Sequence, residues 1–266
     1  MEENNKQNKN NKESRAKKVT RNILIIICIV VLVCSCVYLG YYLYTQHAAE
    51  NEYEDLQNSI PTVTESLAEN PIDFDSLKAQ NDDIYAWIKV DDTEVDYPVV
   101  QHDTEDNFYL RHSALSKEWL DSGAIYTQKC NTTDFSDPVT VIYGHNGFKK
   151  TMFTTLHKFE KEDFFNSHEY FTIYTPDRKL TYQVISIFKY DDRHIMNSFD
   201  FNKPEKLKEF QDMVMNPNST LKNVRTYLDV NIDENSKLVV LSTCITGQKS
   251  NRFLVCGVLV NDEKTK

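Results

Sequence analysis

Three side chains capable of joint covalent chemistry lie in the C-terminal half of this chain. Cys244 closes the apolar run Leu238 to Thr243 and precedes a polar, glycine-containing stretch, Ile245 to Asn251. A thiol where a strand gives way to a loop is accessible, as a nucleophile must be. A cysteine inside a strand is more commonly a small core hydrophobe, and Cys256, within Phe253 to Leu259, fits that description. His145 follows Val141-Ile142-Tyr143-Gly144, where Gly144 and Gly147 let the backbone turn tightly around an imidazole placed to act as acid or base. Arg252 opens the last apolar run eight positions after Cys244. A hairpin across the interval would bring its guanidinium to the thiol, where it could donate several hydrogen bonds to a carbonyl or oxyanion. Each residue alone reads as ordinary structure; the three together define a reactive set.

The remaining histidines are read differently. His47 falls in the segment after the apolar N-terminal run, and His102, His112, His157, His168 and His194 sit in polar or helical contexts that suit solvated side chains. Outside the apolar N-terminal run, no pair of histidines or cysteines has the spacing of a metal site. Neither a metal nor a cofactor is expected, since a glycine-rich phosphate loop is also missing from the sequence.

The elements that must position these groups are mostly strands. Short β-type runs cover Tyr85 to Val90, Val95 to Val100, Ala124 to Thr127, Val139 to Tyr143, Tyr170 to Tyr174, Leu180 to Tyr190, Leu238 to Thr243 and Phe253 to Val260. Eight strands imply a barrel or a sandwich. Pro204 to Met215 interrupts them as a helix, with Leu207, Phe210 and Val214 on one face and Pro204 suited to the first turn.

Composition sets the context. The 266 residues are 40% hydrophobic and 26% charged, with 6 Gly, 7 Pro and a formal charge of −10, which excludes collagen, low-complexity disorder and a polytopic membrane protein. Ile23 to Leu39 carry no charge, and Tyr38, Tyr41, Tyr42 and Tyr44 extend the apolar run into an interfacial belt. Residues 22 to 44 are therefore read as one transmembrane helix. Seven basic residues against three acidic ones in residues 1 to 21 keep that tail in the cytoplasm, which leaves the rest of a single-pass protein outside the cell membrane. A cleaved signal peptide is disfavoured by the length of the run and the poor cleavage site at Gln46 to Ala49, and lipidation at Cys36 is a minor alternative. Residues 45 to 72 form an acidic stalk or N-terminal helix, and residues 73 to 266 the compact domain. Removing the tail leaves 23 basic against 37 acidic side chains, about −14, which argues against a nucleic-acid partner. Three cysteines beyond the membrane run, Cys130, Cys244 and Cys256, imply no disulfide framework.

The set Leu241-Ser242-Thr243-Cys244, then Arg252-Phe253-Leu254-Val255, with Tyr143-Gly144-His145-Asn146 upstream, resembles the sortases, specifically class B, over about residues 73 to 260. Asp96 to Gln101, Asp106 to Leu110, Gly123 to Tyr126 and Met152-Phe153 support the match. The resemblance implies an eight-stranded β-barrel with flanking helices, the long helix before the seventh strand marking class B. It also implies a membrane-anchored cysteine transpeptidase that cleaves the C-terminal sorting signal of secreted proteins and joins the new carboxyl end to an amine of a peptidoglycan precursor or cross-bridge. Carried over by residue, Cys244 is the nucleophile, His145 the acid and base, and Arg252 the oxyanion partner, while Asn107, Leu110, Tyr143, Ser242 and Thr243 match the peptide groove. The Cys-to-Arg interval, residues 245 to 251, departs from some relatives in being short and in having no acidic residue after the cysteine.

Two other readings stay open. One is a class C-like sortase that polymerises pilins, which would commonly carry a lid segment and a second, C-terminal membrane helix. The other is a non-enzymatic, membrane-anchored β-barrel that binds wall or host ligands. L,D-transpeptidases and papain-like enzymes are disfavoured, because His145 precedes Cys244 and Leu241-Ser242-Thr243 precedes the thiol.

Overall fold

The computed structural model describes residues 28–45, 54, 70–147 and 150–265. The chain divides into two compact units, Met1–Ala48 and Ala49–Lys266. In the first, α1 (Cys28–Thr45) is long and apolar enough to cross a membrane, with a mean hydropathy of 1.8 over 18 residues. The tail expected in the cytoplasm, the start of the expected span at residue 22 and most of the expected stalk lie outside the described residues.

The second unit opens with α2 (Phe74–Gln80), whose first turn is capped by Asp73 Oδ1 accepting from Ser76 N at 3.0 Å. It continues as β1 (Ile84–Lys89), β2 (Asp96–Val100), β3 (Ile125–Tyr126), β4 (Val139–Tyr143), α3 (Glu162–Ser167), β5 (Tyr170–Thr175) and β6 (Arg178–Asp191). The last elements are α4 (Ile195–Ser198), α5 (Pro204–Met215), β7 (Lys222–Val224), β8 (Leu238–Ile245) and β9 (Gln248–Lys264). Short 3-10 turns cover Phe108–Leu110 and Thr154–Glu160.

The strand order β5-β1-β2-β3-β4-β8-β9-β6 returns to β5 through a β5–β6 ladder, so eight strands close into a barrel and leave no open edge among themselves. The mainly β fold anticipated from the sequence is therefore observed. The ninth strand, β7, was not anticipated: it pairs Lys222 to Val224 with Phe188 to Ser186. It extends the edge of β6 that β5 covers over residues 178–183. A run of three half-polar residues carries no period that could announce it.

Closure explains the apolar runs of the site-bearing strands. Along β4, β8 and β9, alternate residues enter the barrel (Ile142, Val239, Leu241, Phe253, Val255) or point outward (Val139, Val141, Leu238, Val240, Leu254, Cys256). The outward set is covered by Leu207, Phe210 and Val214 of α5, the face read from the sequence. Burying each of those side chains contributes roughly 1.5–3 kcal/mol relative to leaving it exposed. Both faces are dry, so the central strands are held rigidly, and that rigidity extends to the groups at their ends.

Candidate active site

The ends of three adjacent strands build the site. β4 and β8 run parallel with Tyr143 beside Ser242, and the Gly144 N–H donates to the Ser242 carbonyl at 3.1 Å. Two residues further on, His145 lies just past the end of β4, while Cys244 is still within β8, one residue before its end. β9 pairs antiparallel to β8 with Arg252 opposite Cys244, and to β6 with Arg252 opposite Tyr190. The guanidinium-bearing residue is thus the neighbour of the thiol-bearing one across a ladder, where Cα atoms stand about 4.5–5.5 Å apart.

The segment read as a loop, Ile245 to Asn251, is the tip of this hairpin instead. Ile245 pairs with Gln248 around a turn at Thr246-Gly247, where Gly247 adopts φ 76°, a conformation glycine takes without strain. The register then jumps, so Lys249 to Asn251 of β9 have no partner on β8, although Asn251 pairs with Asp191 of β6. Their carbonyls are used: Lys249 O and Asn251 O accept from Arg252 Nη1 at 3.0 and 3.1 Å, which aims the guanidinium while leaving its other N–H groups for a ligand. The missing cue was that a polar run of this length can be a bulged hairpin as readily as a loop.

His145 is set by a second contact. Its Nε2 donates to the Leu110 carbonyl at 2.8 Å, so Nδ1 is the ring nitrogen that remains for proton transfer. Burial lowers its pKa below the ordinary histidine value, with the Leu110 bond opposing that shift. Two glycines make the arrangement possible. A Cβ on Gly144 would lie 2.6 Å from Ile125 and 2.7 Å from Phe153, and one on Gly123 (φ 55°) would lie 2.5 Å from the Leu110 carbonyl oxygen itself.

A groove of about 240 Å³ runs past these groups, and all eight expected site residues line it: Asn107, Leu110, Tyr143, His145, Ser242, Thr243, Cys244 and Arg252. Tyr126 stacks on Tyr143 in its floor at 5.4 Å. Burial pushes the Tyr126 hydroxyl well above the usual phenol range, Cys244 adds to the shift and Arg252 opposes it. The Tyr143 hydroxyl and Thr243 Oγ1 are buried and have no hydrogen-bond partner among the described residues. Cys244 is an exposed free thiol, whereas Cys256 is buried and its thiol is pushed far up by desolvation. Cys130 is a free exposed thiol whose pKa is likewise raised, chiefly by burial.

The opposite wall is made of loops tied by side chains. His194 Nδ1 accepts from the Asn197 N–H at 3.2 Å, so its Nε2 donates to Gln128 Oε1 at 2.5 Å. Gln128 Nε2 donates in turn to Asn107 Oδ1 at 3.0 Å, which leaves the Asn107 N–H groups for a ligand. His194 was expected to be solvated, as was His157, which instead stacks on Phe253 at 4.5 Å. Asn146, named in the sequence only within the Tyr143-Gly144-His145-Asn146 match and given no role, donates to the Cys244 carbonyl at 2.9 Å. A single sequence holds no signal for such relays, because partners 21 to 98 positions apart meet only after closure.

Comparison with known proteins agrees with this geometry. The sortase domain family model matches residues 88–260. Sortase B of Listeria monocytogenes is 26% identical over 186 residues, 69% of this chain and 72% of its own. The structure of Clostridium perfringens sortase B superposes with a TM-score of 0.60 at 30% identity, covering 71% of this chain and all of that one. A class B sortase of Streptococcus pyogenes involved in pilus biogenesis gives a TM-score of 0.60 at 31% identity, over 71% of this chain and 98% of that one. The chain belongs to the sortase family, in class B, and is a sortase-type transpeptidase.

Proposed function

We propose that the protein is anchored in the cell membrane by its N-terminal helix and attaches secreted proteins to a cell-wall amine through a thioester on Cys244. The observation that carries this reading is the strand register, which delivers His145, Cys244 and Arg252 to one groove from three neighbouring strands. The Cys244 sulfur attacks the scissile carbonyl of a sorting-signal peptide. Arg252 donates to the developing oxyanion, and His145 delivers a proton from Nδ1 to the departing amide nitrogen. The thioester keeps the acyl group activated. An incoming amine of a peptidoglycan precursor or cross-bridge then attacks it, His145 takes up the amine proton, and the sulfur leaves. Asn107, Leu110, Tyr143, Ser242 and Thr243, which line the groove, hold the peptide. Because burial favours the neutral imidazole, the pair with anionic sulfur and protonated His145 is a minority form, and the rate should pass through a pH maximum.

The apolar run of α1 and the basic excess of residues 1–21 support a single-pass anchor with the N-terminus in the cytoplasm and the catalytic domain, residues 73–266, outside. A second reading, in which the enzyme joins secreted subunits into a pilus, is favoured by the relative from Streptococcus pyogenes. Full-length protein in detergent, offered quenched sorting-signal peptides with either a wall-type peptide amine or a lysine-bearing protein amine, separates the two by which product forms. Cleavage that persists in Cys244→Ala would overturn both.

A further inference from the structure

Against the backbone of Cys244, and not among the residues that line the groove, lies a histidine that the reaction above does not use. His157, in the 3-10 turn Thr154–Glu160, places Nδ1 2.5 Å from Glu160 Oε1 and Nε2 3.1 Å from the carbonyl oxygen of Cys244. Carboxylate and carbonyl oxygens only accept, so both contacts are hydrogen bonds when both ring nitrogens carry hydrogen. Asn146 Nδ2 is 3.2 Å from the same Nε2, but its two hydrogens have nearer acceptors, Cys244 O at 2.9 Å and Thr246 Oγ1 at 3.1 Å. No hydrogen is then left to meet a lone pair on Nε2. The ring is fixed by stacking on Phe253, a fully buried neighbour of Arg252. The end of its turn is fastened by Asn223 of β7, whose Nδ2 donates to Phe159 O at 2.8 Å and Glu160 O at 3.3 Å.

The geometry points to His157 as a positioning residue for Cys244, an imidazolium clamped between the Glu160 carboxylate and the Cys244 carbonyl. This inference rests on the reading of Cys244 as nucleophile. The carbonyl it holds sits where the β8–β9 register breaks, between Cys244 and Ile245, so the ladder alone does not fix that peptide. Two donors, one of them charged, fix it instead, and a charge-assisted bond is roughly twice as strong as a neutral one. The cation is also held against the backbone of the residue whose sulfur must carry negative charge in the reaction, and opposite charges this close attract. Among the described residues, the titratable group hydrogen-bonded to the ring is Glu160, from its own turn; from Cys244 of β8 the ring meets the backbone carbonyl. Asn146 from the β4 loop, and Phe253 from β9, are uncharged.

The test uses full-length protein in detergent at pH 7, with the variants His157→Ala, His157→Gln and Glu160→Gln. Two readouts are taken: kcat and KM for a quenched sorting peptide, and the rate of Cys244 alkylation by iodoacetamide. We expect His157→Ala to lower kcat about tenfold with KM within twofold, and to slow alkylation several-fold. His157→Gln restores a donor without charge and should recover part of kcat but not the alkylation rate, while Glu160→Gln, which disturbs packing least, should slow alkylation two- to threefold. Unchanged alkylation in all three folded variants, or a loss expressed in KM alone, would overturn the clamp. Alkylation reads the clamp whether or not the peptide is cleaved. Failure of the wider reading would show itself separately, as cleavage that survives Cys244→Ala.

Discussion

The two walls of the groove are built by different means. The wall that bears Tyr143, Ser242, Cys244 and Arg252 is fixed by backbone ladders of β4, β8, β9 and β6, buried on both faces. The facing wall, with Asn107, Gln128 and His194, is fixed by a chain of side-chain hydrogen bonds between loops. Ladders hold atoms against a rigid core, as bond making requires, whereas a relay of amides and an imidazole is easily altered, as recognition of different peptides requires. The difference teaches that substitutions of the reacting groups on the ladder wall, Cys244 and Arg252, should act on kcat and those in the relay on KM.

The largest effect should break the ladder wall at its reacting atom. Cys244→Ala is expected to remove acyl transfer by at least about 10³-fold with peptide binding kept, measured as turnover alongside fluorescence binding. Arg252→Lys follows, with a loss of about 10²- to 10³-fold in kcat, because an ammonium cannot be aimed by Lys249 and Asn251 while also donating to an oxyanion. Gly144→Ala drives a Cβ into Ile125 and Phe153, and should cost about 1–3 kcal/mol in urea unfolding and reduce kcat as the His145 level shifts. On the other wall, Gln128→Leu cuts the tie to Asn107 and should raise KM about three- to tenfold with kcat nearly unchanged in steady-state assays. An equal loss of kcat there would erase the distinction between the walls.

The smallest effect is on stability against pH. Burial depresses the His145 pKa in the folded state, so the unfolded chain binds more protons below its own value, near ~6.5. The stability is full above this pH and is lost as the pH falls from it through the lower folded-state value. Thermal unfolding should shift down between pH 8 and pH 5.5, and His145→Gln should flatten the dependence.

Much of the ladder wall was legible in the sequence, for a reason visible at Val139 to Tyr143 and Leu238 to Thr243. Strands buried on both faces read as unbroken apolar runs, and the polar residues that end them mark the rim of the barrel. The helix over Pro204–Met215 was legible from its period. The relay wall was not, since His194, Gln128 and Asn107 belong to segments without period and meet only through tertiary contact. The hairpin between Cys244 and Arg252 was legible, but not how far its strands run: Ile245 and Gln248 still pair, and the carbonyls of Lys249 and Asn251 accept from Arg252, which composition does not reveal. His157 was dismissed as solvated because its partners, Glu160 aside, come from β4, β8 and β9.

The account turns on a covalent acyl group carried by the ladder wall. Its most direct test is intact-protein mass spectrometry of the full-length enzyme quenched in acid during turnover of a sorting-signal peptide, followed by mapping of the adduct. The account predicts a mass gain equal to the N-terminal peptide fragment minus water, located on Cys244 and discharged by an added amine. Turnover of the same peptide by Cys244→Ala, or an adduct mapped to Cys130, would contradict it.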